Sequence, residues 1–128
     1  MALQVTAIML GVEDLARSKQ FYADLGCAIQ QDYPQFVSFS LGDGSSSLAL
    51  YERGAAAADA GVSPDGSGFS GVSFHYIVDS QGAVDQAMTA AEAAGGSVVR
   101  AAAAAQWGGY FGYFSDPDGH LWKVAAPQ

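Results

Sequence analysis

The sequence predicts an α+β fold of two β-α-β-β-β modules, each a four-stranded mixed sheet with one helix. Three observations predict it. The same order of strand-like and helix-like segments occurs twice along the chain. The strand-to-helix junctions Val12-Glu13-Asp14 and Val78-Asp79-Ser80 correspond. A chain of 128 residues has room for one domain made of two such repeats, and neither repeat alone can bury both faces of its sheet.

The elements follow in order. Val5 to Val12 is apolar and β-prone. Asp14 offers a helix N-cap. Leu15, Ser18, Phe21, Tyr22 and Leu25 then recur at helical spacing, and Gly26 closes the helix. Ala28–Gln31, Phe36–Leu41 and Ser46–Glu52 read as three strands, the last preceded by the turn Gly42-Asp43-Gly44. Residues 54–68 are rich in Ala, Gly, Ser, Asp and Pro and read as a loop, in which Ala55 to Ala58 allows a helical turn without an apolar face. The second half repeats the order. Gly71–Val78 is a strand, Ser80 is a cap, and Val84, Ala87, Met88 and Ala91 mark a helix ended by Gly95-Gly96. Ser97–Arg100 is a short strand, Ala101–Ala105 a connecting loop, and Tyr110–Phe114 an aromatic strand. Asp116-Pro117-Asp118-Gly119 is a tight-turn signature before the last strand, His120–Ala125. The expected organisation is one domain: a module over residues 1–53, a loop over 54–70 and a second module over 71–128.

Composition excludes several classes of function. The net charge is −8 with only five Lys and Arg residues, and no basic cluster exists to hold a phosphate backbone, so nucleic acid is not an expected partner. No apolar run approaches the length of a membrane span. The first residues lack the basic-then-apolar pattern of a secretory leader. A lone cysteine, Cys27, forms no internal disulfide and by itself holds no structural zinc; it reads as a small buried hydrophobe. These features together suggest a reducing cytoplasm. The acidity serves solubility or attracts cationic ligands.

Two segments carry a family resemblance. Val12-Glu13-Asp14-Leu15-Ala16-Arg17-Ser18-Lys19-Gln20-Phe21-Tyr22, followed by Leu25-Gly26, resembles the opening helix of the vicinal-oxygen-chelate superfamily, the glyoxalase, bleomycin-resistance and dioxygenase group. Trp107-Gly108-Gly109-Tyr110 with Phe114-Ser115-Asp116-Pro117-Asp118-Gly119-His120-Leu121-Trp122 resembles its closing hairpin. The resemblance implies paired modules whose curved sheets form an open cup. It also implies a homodimer, and in the enzymes a divalent metal held by His, Glu or Gln from the first and last strand of each module. Counted from the motifs, those four positions fall on Ala7, Ala49, Ser73 and Lys123. None is a usual ligand, so no metal cofactor is expected.

If these positions line the cup, strand alternation brings Met9, Tyr51, His75 and Leu121 to the same lining. Tyr51, Ser73, His75 and Lys123 then supply its polar groups, and Trp107 and Tyr110 its aromatic ones. Lys123 either stands in for the lost cation, polarising a carbonyl or binding a carboxylate, or reaches the rim to pair with an acid. His75 is a general base or a hydrogen-bonded wall residue; His120 is expected to be exposed. Most of the aromatic run at 110–114 is expected to be core, and Trp122 to pack against the helix layer. A Glu52–His75 pair is the remaining route to a displaced metal.

The function expected is binding of a small aromatic or cationic molecule without catalysis, as in the antibiotic-sequestering branch that this sequence resembles. The alternative is a lyase, isomerase or dioxygenase that uses a displaced metal or metal-free chemistry from His75, Tyr51 or Lys123. A third reading makes the fold only an interaction scaffold.

Overall fold

A computed structural model of the chain describes residues 5–60, 62–66, 70, 72–106 and 108–127. It forms two compact units, residues 1–66 and 67–128, each holding one four-stranded mixed sheet.

In the first unit the order is β1 (Ala7–Val12), α1 (Leu15–Asp24), β2 (Ala28–Tyr33), β3 (Phe36–Ser40), β4 (Ser47–Glu52) and α2 (Arg53–Ala60). The sheet runs β1-β4-β3-β2. β1 and β4 are parallel, with Leu10 beside Leu50 and Met9 beside Ala49; the other pairs are antiparallel. Asp14 caps α1, its side chain accepting from the Arg17 N–H at 3.1 Å. One sheet face, with Leu10, Val12, Val37, Phe39, Leu48 and Leu50, is buried together with Phe21 and Tyr22 of α1. The Tyr22 and Phe39 rings are 6.0 Å apart. The opposite face carries Met9, Ala49 and Ser38 in one row and Gly11, Tyr51 and Phe36 in the next.

Residues 53–60 are helical, where the composition reads as loop. Four consecutive alanines have high intrinsic helix propensity. Glu52 supplies the cap: its carboxylate accepts from Gly54 N–H at 3.0 Å and Ala55 N–H at 2.7 Å. Capping by an acidic side chain satisfies two of the orphan donors of the first turn.

In the second unit β5 (Phe74–Ile77), α3 (Gln81–Ala93), β6 (Ser97–Ala104), β7 (Tyr110–Ser115) and β8 (Leu121–Ala126) make the sheet β5-β8-β7-β6. Ser80 caps α3 through the Ala83 N–H at 3.1 Å. Both α1 and α3 are followed by a glycine in the left-handed region, Gly26 at φ 91° and Gly95 at φ 108°, which stops the helix without a Cβ clash. Val84, Met88 and Ala91 of α3 are buried. They share the core of this unit with Phe114 and Val124. Trp122 lies 5.0 Å from Phe74 and is stacked 6.1 Å from Phe114. Asp116 is buried; its Oδ1 accepts from the Asp118 and His120 N–H groups and ties the turn between β7 and β8.

The stretch Ala101–Ala104 is strand, not loop. It extends β6 to eight residues with two irregularities of register, one between Val98 and Arg100 and one between Arg100 and Ala103. Position 112 of β7 takes no side chain because the β6 backbone lies close: a Cβ on Gly112 would meet Ala102 N at 3.0 Å and Arg100 O at 3.1 Å.

Candidate functional site

Each sheet has one face committed to its core and one carrying the residues of functional interest. In β7 the alternation is regular against β8. Tyr110, Gly112 and Phe114 therefore point to the α3 side, and Phe111 and Tyr113 to the opposite, open face. On β8 the open face holds Leu121, Lys123 and Ala125. Register places Lys123 between Tyr113 of β7 and His75 of β5.

Lys123 and Arg100 converge on one ring. The Lys123 ammonium lies 4.5 Å from the Phe111 centroid, and the Arg100 guanidinium 4.7 Å from the same centroid. Lys123 is also 6.0 Å from the Tyr113 ring. Phe111 and Tyr113 meet edge to face at 6.1 Å. Cations over aromatic faces are held by the ring quadrupole, by about 0.5–1 kcal/mol at exposed sites. Ser73, just before β5, has its Oγ 3.1 Å from His75 Nε2. The open face is thus a half-buried aromatic floor with a lysine, an arginine and a histidine around it.

Of the residues singled out in the sequence, Ser73, His75 and Lys123 come together on this face. Tyr51 belongs to the first unit, where its ring meets Phe36 at 6.1 Å. There Tyr33, Pro34, Gln35, Phe36 and Tyr51 line a shallow open hollow of about 560 Å³. Trp107 lies outside the described residues. Tyr110 departs from its expected place in the lining: its hydroxyl donates to Asp85 Oδ1 of α3 at 2.7 Å, because its position in β7 turns it to the helix side. Phe111 and Tyr113, expected as core, are instead half-buried on the open face.

Arg100 joins the site without being legible in the sequence. The two register irregularities of β6 flank it, so a count of alternate residues does not tell which face it takes. A usable signal was present in composition. The strands of this sheet contain His75, Arg100 and Lys123 and no carboxylate, in a chain with 13 acidic residues.

Tyr110 gives a direct check on this placement. The hydrogen bond to the Asp85 carboxylate, with lesser help from burial and from its negative charge, raises the phenol pKa above its usual value. The folded pKa lies above the unfolded one, so this contribution to stability holds below the ordinary tyrosine pKa and is lost as pH rises through the folded value. In an ultraviolet titration one tyrosine is expected to ionise later than an exposed phenol. Tyr110→Phe should remove that late step and leave ligand binding unchanged; weakened binding would put Tyr110 back in the site.

The positions that the resemblance assigns to metal ligands can be compared with a donor set. Ala7 and Ala49 have no donor atom. Ser73 is engaged with His75, and Lys123 brings a cation. Glu52, the remaining nearby carboxylate in the sequence, has both oxygens on the N-terminus of α2. Among the described residues no three His, Cys, Asp or Glu side chains gather in a group able to hold a metal ion. Such a set does not fit the divalent metal of the resembled enzymes. Cys27 is half-buried, and burial pushes its thiol pKa up, which lowers its reactivity. Among the described residues no helix is long and apolar enough to cross a membrane.

The sequence profile of the Glyoxalase/Bleomycin resistance protein/Dioxygenase superfamily matches residues 4–124. No curated protein matches the sequence. Among solved structures, a glyoxalase-related enzyme from Fulvimarina pelagi is 32% identical with a TM-score of 0.88, the match covering 98% of this chain and 88% of that one. A lactoylglutathione lyase from Agrobacterium tumefaciens is 25% identical with a TM-score of 0.72, over 98% of this chain and 95% of that one. A glyoxalase/bleomycin resistance protein/dioxygenase family enzyme from Burkholderia phytofirmans shares the fold at 19% identity and a TM-score of 0.84, over 96% of this chain and 98% of that one.

Proposed function

Since the chain belongs to the glyoxalase/bleomycin resistance protein/dioxygenase superfamily, we propose that it is a member that binds a small molecule without a divalent metal. The ligand lies on the open face of the second sheet. The observation that carries this reading is Lys123. It stands where the resemblance places a metal-binding carboxylate, and its ammonium sits over the Phe111 ring at 4.5 Å. A fixed positive charge at a ligand position opposes a metal cation. An apolar aromatic floor with a few polar groups is what small-molecule sites commonly present. In this reading the protein sequesters its ligand, as in the antibiotic-binding branch, and acts as a homodimer.

The reading has two expected outcomes. Elemental analysis of protein purified without chelators should give far less than one equivalent of Fe, Mn, Ni or Zn per chain. Flat aromatic compounds should raise the melting temperature, because a ligand present at 100 times its Kd stabilises the folded state by about 2.7 kcal/mol. One tightly held metal per chain, or no thermal shift across a broad aromatic set, overturns it.

One observation favours a second reading, metal-free acid–base catalysis. His75 is in register with Lys123 and within hydrogen-bond distance of Ser73, so a bound carbonyl compound would find a base beside a cation. His75→Gln would then abolish turnover of such a compound and leave its binding intact.

A further inference from the structure

We infer that the open face of the second sheet selects a small organic anion with a flat apolar body, Arg100 and Lys123 supplying the charge and Phe111 the platform. This rests on the reading that the ligand lies on this face. It departs from the cationic ligand that the acidity of the whole chain suggests.

Charge is distributed unevenly between the sheets. β5, β6, β7 and β8 carry His75, Arg100 and Lys123 and no Asp or Glu. The strands of the first sheet reverse this, with Asp32 and Glu52 and no basic residue. Two of the chain's five Lys and Arg residues therefore meet at one ring. Lys19 pairs with Asp32 at 2.6 Å, and Arg53 donates to the Pro64 carbonyl at 2.6 Å. Both cations lie within 5 Å of the Phe111 centroid in the case of Arg100 and Lys123, so an anion bound beside that ring is attracted by each. The half-buried Phe111 and Tyr113 rings offer the flat apolar contact.

The inference makes Arg100 a specificity-determining residue, and four probes of one shape test it on the full chain. Benzoate, phenyl phosphate, benzamide and benzylamine are titrated calorimetrically at low and moderate salt. Benzoate or phenyl phosphate is expected to bind at least tenfold more tightly than benzamide, and benzylamine more weakly still. The preferred anion identifies the head group as carboxylate or phosphate, and its affinity should fall as salt rises. Arg100→Gln and Lys123→Met should each shrink the anion's advantage over benzamide about tenfold, with melting temperatures showing that both variants fold. Benzamide or benzylamine binding as tightly as the anions overturns the charge assignment and leaves small-molecule binding standing. Failure of all four probes to bind, or anion binding that appears only with an added divalent metal, overturns the underlying reading as well.

Discussion

Phe114→Ala is expected to destabilise the protein by about 3–5 kcal/mol, the usual cost of deleting a buried aromatic ring. Phe114 is 5% exposed and stacked in parallel on Trp122, which in turn packs on Phe74. The ring therefore joins three strands of the second sheet under the helix side. A loss of this size should lower the melting temperature of a chain this long by about 11–19 °C, read by circular dichroism. A drop of only one or two degrees would show that the aromatic stack is not part of the core. Because the open face is the reverse side of the same sheet, ligand affinity should change much less than stability.

Phe111→Ala should do the opposite. Phe111 lies three residues before Phe114, so alternation turns it to the other face. It is half-buried and carries both cations. Removing it should cost at most about 1–2 kcal/mol of stability. Removal deletes the floor of the proposed site. Loss of aromatic contact and apolar burial together amounts to about 2 kcal/mol, or roughly thirtyfold in Kd for the tightest aromatic ligand of the thermal-shift set. Unchanged affinity would place the ligand elsewhere, with the hollow at Tyr33, Phe36 and Tyr51 as the alternative. The pair of variants separates core from site within a single strand.

Much of this arrangement is legible in the sequence, for local reasons. Asp14, Ser80, Gly26 and Gly95 fix the ends of α1 and α3 through caps and left-handed backbone. The turn at Asp116 to Gly119 is equally local. Alternation in β8 alone separates Lys123 from Trp122. Features set by neighbouring strands are less legible. The need for glycine at 112 is not readable until the β6 backbone is seen to lie against it. Arg100 has no readable face because the register slips on both sides of it. Tyr110 and Tyr113 differ in parity within one aromatic run, and only the pairing of β7 with β8 shows which parity faces the helix. Helix α2 was hidden because its cap, Glu52, ends a strand and reads there as a strand residue.

The most direct test of the central claim is a residue-by-residue footprint of a flat aromatic anion on protein freed of metal by a chelator. In a nitrogen–proton correlation spectrum, benzoate should shift the amides around His75, Arg100, Phe111, Tyr113 and Lys123, saturably and to the same extent with or without chelator. Shifts that centre on Tyr33, Phe36 and Tyr51, or that appear only when a divalent metal is restored, would contradict the account.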